Sequence, residues 1–205
     1  MSQARIRTTD LAPWADPVPG AAQMTVADIE RRPDDRWHYE LVDGRLFRLP
    51  MSGGEASNIA VNLAAALVAF VRAEKLGRVT GADGGYDFSA LGQPDTELGP
   101  DVAFVRADRV PDRGSATYAK AWPLAPDLAV EVASPHQYHQ EMAAKVGRYL
   151  AAGVRLVWVI WPRYRQVDVW RAQDIQPSTT LGLEDELDGL DVLPGFTLPL
   201  TDLFD

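Results

Sequence analysis

The sequence predicts a mixed α/β or α+β protein built on one sheet, and three observations carry that reading. The runs DVAFV (101–105) and LAVEV (128–132) are apolar and β-branched in the manner of central strands. Behind Ser52, the residues Ile59, Leu63, Leu67, Phe70 and Val71 recur at helical spacing. The elements follow in the order α, ββ, α, several β, α, ββ, with no internal repeat and no linker long enough to divide domains. A chain of 205 residues, 46% hydrophobic and 24% charged, is long enough to bury a core of its own.

Taken in order, residues 1–23 are rich in Ala, Pro and Gly and read as a flexible N-terminal arm, with residues 24–205 as one domain. Thr25-Val26-Ala27-Asp28 has the form of a capping box opening a short helix that Pro33 stops. HYELVDGRLFRLPM is a β-hairpin turning at Asp43-Gly44, a dipeptide that accepts the positive φ of a type I′ turn. Ser52-Gly53-Gly54-Glu55 offers a second capping box for the long helix, which runs up to Gly77. GRVTGADGGYDFSA suggests a strand and a glycine-rich turn; without a P-loop lysine or GxGxxG spacing, its GADGG reads as a loop rather than a phosphate cradle. A basic loop, 106–120, separates the two central strands. A helix from about Tyr138 to Ala152 ends at Gly153, and VRLVWVIW and RQVDVWR form two strands joined at Pro162-Arg163. The acidic tail carries apolar residues that dock on the domain.

Composition narrows the chemistry. The chain has no cysteine, which excludes disulfides, thiolate metal sites and a cysteine nucleophile and fits a reducing compartment. The first residues lack the apolar core of a signal peptide, and the apolar runs are shorter than the ~18 residues of a membrane span. A soluble cytoplasmic protein is expected. The net charge of −9 argues against a nucleic-acid partner, but its distribution softens that. Residues 172–205 hold eight acidic and no basic side chains, whereas residues 101–171 hold ten basic and seven acidic.

The chemistry centres on Glu131, a carboxylate inside an apolar strand. An unpaired buried charge costs several kcal/mol, so it must be paired, neutralised or given a metal. Asp127 shares its face, but four residues of strand span about 13 Å. Asp101 begins a separate strand; if the two strands are neighbours, the carboxylates converge across a gap of ~4.8 Å. Two carboxylates completed by water are all hard oxygen and suit Mg²⁺ or Mn²⁺. Lys145, at the edge of the apolar stripe Met142, Val146, Tyr149 and Leu150, is placed to stabilise charge on a phosphate; its competing reading is a surface pair with Glu141. Glu131 has its own alternative, pairing with Arg148 or Arg155. His136 and His139 flank a helix start without a third ligand, Ser134 has no histidine to activate it, and Tyr149 and the tryptophans read as core.

These blocks, GPDVAFVRADRV, PDLAVEVASP and EMAAKVGRYLAAGVRLVWVIWP, together with YELVDGRL and DVLPGFTLPLTDLF, resemble a large bacterial family of restriction endonucleases of the PD-(D/E)XK type. The resemblance runs from about Met24 to the end of the chain. It implies a restriction-endonuclease-like core, a mixed central sheet flanked by helices with an N-terminal β-hairpin. Asp101 and Glu131 match the two acidic metal ligands. The lysine expected two residues after the acid, where Ala133 stands, is matched instead by Lys145 on the following helix. Glu40 matches a glutamate of the family's first strand, while Ala56 replaces a histidine frequent at the start of the long helix. The implied activity is Mg²⁺- or Mn²⁺-dependent cleavage of DNA by a homodimer, with the basic loop, Arg163 and Arg165 on the phosphates. Two rivals remain: a non-catalytic protein-binding module on the same fold, and a metal-dependent hydrolase of a small phosphorylated substrate.

Overall fold

In the computed structural model, which describes residues 11–32, 35, 37–172 and 174–205, the chain builds two sheets and a two-stranded ribbon rather than the one sheet expected. Part of the expected arm belongs to the smaller sheet. Strand β1 (Asp16–Pro17) pairs with the hairpin, and Ala12 and Trp14 are buried. Residues 1–10 lie outside the described residues. Helix α1 (Val26–Glu30) starts as Thr25 predicts: the Asp28 carboxylate accepts the Thr25 backbone N–H and hydroxyl, both at 2.8 Å. Its expected stop, Pro33, lies outside the described residues.

The hairpin forms from β2 (His38–Val42) and β3 (Arg45–Leu49). Asp43 and Gly44 take φ of 49° and 73°, the left-handed pair that a type I′ turn needs. Helix α2 (Gly54–Ala73) begins one residue later than a Ser52 cap would allow: Gly53 is the N-cap and makes no side-chain bond. After it, Lys75 turns left-handed (φ 57°), and Gly77 already opens β4 (Gly77–Gly81). That glycine is required by close approach, since a Cβ there would lie 2.0 Å from the Val105 carbonyl oxygen.

Short strands β5 (Tyr86–Asp87) and β6 (Glu97–Leu98) complete a five-stranded sheet in the order β1-β3-β2-β6-β5. Strands β7 (Val102–Arg106) and β8 (Leu128–Val132) are antiparallel neighbours, as the convergence of Asp101 and Glu131 requires. Helix α3 (His139–Ala152) ends at Gly153 (φ 98°) and returns the chain to β9 (Leu156–Trp161), parallel to β8. With β10 (Gln166–Arg171) and β11 (Thr179–Leu181) these make a mixed six-stranded sheet in the order β11-β10-β9-β8-β7-β4. The tail folds as the ribbon β12 (Glu186–Asp188) and β13 (Thr197–Pro199), followed by α4 (Leu200–Phe204).

Strand alternation divides the larger sheet between two cores. Val102 and Phe104 of β7 and Leu128, Val130 and Val132 of β8 pack with Ile59, Leu63, Leu67 and Val71 of α2. Ala103, Val105, Ala129 and Ala133 face the other way, toward Met142, Val146 and Tyr149 of α3 and toward Val42, Phe47 and Leu98 of the smaller sheet. By length and average hydropathy α2 could cross a membrane, although its sequence holds no uninterrupted apolar run of that length. Polar residues such as Asn58 and Asn62 interrupt its run, and its apolar row is spent on the sheet.

Candidate active site

Glu131 falls between Ala129 and Ala133 on β8, so alternation directs it into the layer shared by α3 and the smaller sheet rather than toward α2. The β7–β8 register, Val102 opposite Val130, carries on to set Asp101 opposite Glu131. The Asp101 Oδ2 accepts the Val132 backbone N–H at 2.7 Å, which ties this carboxylate to the strand bearing Glu131. Glu40 arrives from β2, and Lys145 and Tyr149 descend from α3, one helical turn apart.

These groups meet around one ammonium. Lys145 Nζ is 2.9 Å from Oε1 of Glu131 and 2.9 Å from Oε1 of Glu40. The Tyr149 hydroxyl donates to Glu131 Oε1 at 2.6 Å. Glu40 also accepts the Trp14 indole N–H on Oε2 at 2.7 Å and the Gly99 backbone N–H on Oε1 at 3.3 Å. Glu40, Glu131, Lys145 and Tyr149 are all buried. The surface reading of Lys145 is therefore overturned: Glu141 instead accepts the Tyr138 backbone N–H at the start of α3. Nor does Glu131 use an arginine, because Arg148 grips Asp43 and Arg155 pairs with Asp191.

The electrostatics follow from the count of charges. Three carboxyl groups gather near one lysine, so ionising all of them would leave an excess of two negative charges in a poorly hydrated place. Burial pushes the Glu131 carboxyl up, and Asp101 and Glu40 add to the rise while Lys145 opposes it. Burial likewise raises Asp101 against the Val132 N–H and Lys145. Burial alone would lower the Lys145 ammonium, but Glu131 and Glu40 reverse that and hold it above its ordinary value.

The donor set fits a hard divalent cation. Glu131 Oε2 and Asp101 Oδ1 have no protein hydrogen-bond donor among the described residues, and a dication would balance the excess charge. No group of three or more His, Cys, Asp or Glu side chains that could hold a metal ion occurs among the described residues. One or two carboxylates with water is the mode in which Mg²⁺ is ordinarily held.

The other candidates fall elsewhere. Asp127 accepts the Arg106 N–H and pairs with Arg109, at 2.9 and 2.8 Å. His139 stacks on Trp161 with ring centroids 3.9 Å apart. Ser134 and Pro135 line a cleft at the end of β8 with Gly53, Tyr138, Arg163 and Tyr164. In the basic loop, Arg106 pairs with Asp108, Arg109 with Asp127 and Lys120 with Glu30, so three of its cations are neutralised within the chain.

Sequence reasoning missed Trp14 and assigned Tyr149 to the core. A signal for Tyr149 was present: a tyrosine in a buried helical row needs a partner for its hydroxyl, and a buried glutamate needs a donor. Trp14 offered no comparable signal.

Fold and site together define a restriction-endonuclease-like protein with a carboxylate–lysine centre. A family model described as "Uma2: Putative restriction endonuclease" matches residues 26–201, and the chain belongs to this family. The fold is similar to a crystal structure described as a putative nuclease belonging to DUF820 from Anabaena variabilis ATCC 29413. The TM-score is 0.72 at 20% identity, over 88% of this chain and 97% of that one. No curated protein matches the sequence.

Proposed function

We propose that the protein is a Mg²⁺- or Mn²⁺-dependent nuclease that hydrolyses phosphodiester bonds of DNA. The observation that carries this reading is the gathering of three carboxyl groups around Lys145, with one oxygen each on Glu131 and Asp101 left without a protein donor among the described residues. Membership of a family described as restriction endonucleases supports the same class of chemistry.

Asp101 and Glu131 would hold the ion. When bound, such an ion polarises a phosphoryl oxygen and lowers the pKa of a water. The chain's own groups do the rest. Lys145 orients the attacking water or offsets charge developing on the phosphate. Glu40, itself fixed by Trp14 and the Gly99 N–H, keeps the ammonium in place, and Tyr149 holds Glu131 in one rotamer. The cleft at the end of β8, which Ala133 lines two residues from Glu131, would be the route for substrate. Phosphate contacts fall to Arg163 and Arg165, which pack over Tyr164 and Phe204, rather than to the internally paired cations of the loop. Cutting both strands with one site per chain would take a homodimer.

Nicking of supercoiled plasmid in Mn²⁺, beside Glu131→Gln purified identically, tests the reading. Cleavage by the wild type alone supports it, and equal cleavage by both points to a contaminant. The internal pairing of the loop cations favours a second reading, a shorter phosphodiester as substrate. Competition between plasmid and a dinucleotide separates the two, because DNA binding through arginines must weaken steeply with salt.

A further inference from the structure

Asp83, Gly84 and Gly85 of the glycine-rich turn form one wall of a cleft of about 480 Å³ that the proposed chemistry does not use. Its floor holds Glu97 of β6. The Glu97 Oε2 is buried and has no hydrogen-bond partner among the described residues, although a buried carboxylate oxygen ordinarily has one. The chain makes room for this group: a Cβ at Gly85 would stand 2.5 Å from Glu97 Oε1 and 3.3 Å from the Ala121 Cβ. Tyr118 and Trp122 line the same cleft with ring centroids 5.6 Å apart. The Trp122 indole N–H is already given to the Tyr118 carbonyl at 3.2 Å. Arg78 and Lys120 stand at the exposed edge, Lys120 also reaching Glu30.

Leu41 is the partner of Glu97 across β2 and β6, so Glu97 shares the Leu41 face of the smaller sheet while Glu40 is directed to the other.

We infer that this cleft is a second binding site, for an amino-bearing nucleobase of the cytosine or adenine class with its phosphate. The Glu97 carboxyl accepts the exocyclic amino group, as acidic side chains accept from cytosine. Tyr118 offers a ring face to the base, and Arg78, exposed at the edge of the cleft, meets the phosphate. Burial pushes the Glu97 carboxyl up to about 7, with Asp87, Glu30 and Glu40 adding to the rise. At pH 8 it is thus mainly an acceptor and discriminates against the carbonyl edge of uracil. The same chemistry could be presented by a free nucleotide or by an unpaired base in a strand.

Calorimetric titration of the full chain in EDTA at pH 8 tests the site without any contribution from metal-dependent catalysis. The titrants are CMP, UMP, ribose 5-phosphate and an oligo(dC) strand. The expected result is saturable CMP binding, weaker for UMP by roughly tenfold or more and absent for ribose 5-phosphate. Glu97→Leu should lose that binding while melting no lower than the wild type, because the buried Oε2 it removes has no hydrogen-bond partner among the described residues. Gly85→Ala, which displaces the carboxyl, should weaken binding without removing the charge. Saturation by oligo(dC) but not CMP would assign the site to strands, and saturation by both would admit free nucleotide. Equal affinity for CMP and ribose 5-phosphate, undiminished binding in Glu97→Leu, or no binding of either CMP or oligo(dC) overturns the inference.

Discussion

Lys145 Nζ lies 2.9 Å from Oε1 of Glu40 and 2.9 Å from Oε1 of Glu131, so a single buried ammonium joins a strand of the smaller sheet to a strand of the larger one. Lys145→Met keeps the length of the side chain but leaves three carboxylates without a counter-charge. Removing one partner of a buried pair costs about 3–5 kcal/mol, and that loss is expected at pH 8. The sign of its pH dependence follows: carboxyls raised in the folded state bind protons that the unfolded chain has released. The variant should regain stability as pH falls toward the ordinary carboxylate range, which urea titrations at pH 8 and pH 6 would show. Equal loss at both values would mean that the carboxylates do not carry the penalty.

If Asp101 and Glu131 hold the ion, Mn²⁺ should raise the melting temperature of the wild type by mass action on the folded state. Glu131→Gln keeps an acceptor for Tyr149 and the shape of the strand, and removes one of the excess negative charges. Its metal-free melting temperature should equal or exceed that of the wild type, and Mn²⁺ should shift it little. Melting curves with and without Mn²⁺ measure both effects. A full wild-type shift in the variant would remove Glu131 from the ligand set.

Tyr149→Phe isolates one hydrogen bond. The ring should keep its edge-to-face contact with Phe88, at 6.0 Å between centroids, while Glu131 loses the 2.6 Å bond from the hydroxyl. A hydrogen bond to a charged group contributes about 1.5–3 kcal/mol, so a destabilisation of that size is expected by chemical denaturation. Without this donor the Glu131 carboxyl rises further, and the Mn²⁺-induced stabilisation should move to higher pH. A pH profile of that stabilisation unchanged from wild type would reduce Tyr149 to packing.

What the sequence made legible here was what strand geometry and helical spacing control. The apolar runs located β7 and β8, and spacing along a strand separated Asp101 from Asp127, which proves to serve the Arg106 N–H and Arg109. Lys145 was ambiguous for a physical reason: it sits at the edge of the apolar stripe, and Glu141 four residues earlier offered a surface partner. Only the folded chain shows Glu141 bonded to the Tyr138 N–H. The second sheet was not legible, because β5 and β6 are two residues each and too short to show a period. Trp14 escaped because it lies 26 residues from Glu40, among Ala and Pro that suggest a loose arm.

Trp14 supplies the next test. Its indole N–H reaches Glu40 Oε2 at 2.7 Å, and its ring lies 6.0 Å from the Lys145 ammonium. Trp14→Phe keeps most of the buried ring and deletes the donor, so Glu40 is held by Lys145 and the Gly99 N–H alone. A loss of about 1.5–3 kcal/mol is expected, as for other bonds to charged groups. In hydrogen exchange, the amides of β1 should open sooner than in the wild type. Unchanged protection there would mean that the indole bond does not anchor this segment.

Glu97 gives a pH dependence of its own. Burial raises its folded pKa from 4.5 to about 7, so the folded chain holds a proton that the unfolded chain loses on passing 4.5. Stability from this group is complete below pH 4.5 and is lost as pH rises to about 7, after which the penalty stays constant. The side chain is only partly buried, so solvent reduces the penalty below what the shift alone implies. Glu97→Gln, neutral at every pH, should melt several degrees above the wild type at pH 8 and close to it at pH 4.5. Calorimetric melts across that range test the sign. A difference that grows toward low pH would mean that the folded protein favours the charged form of Glu97, and that its Oε2 has a partner in solution.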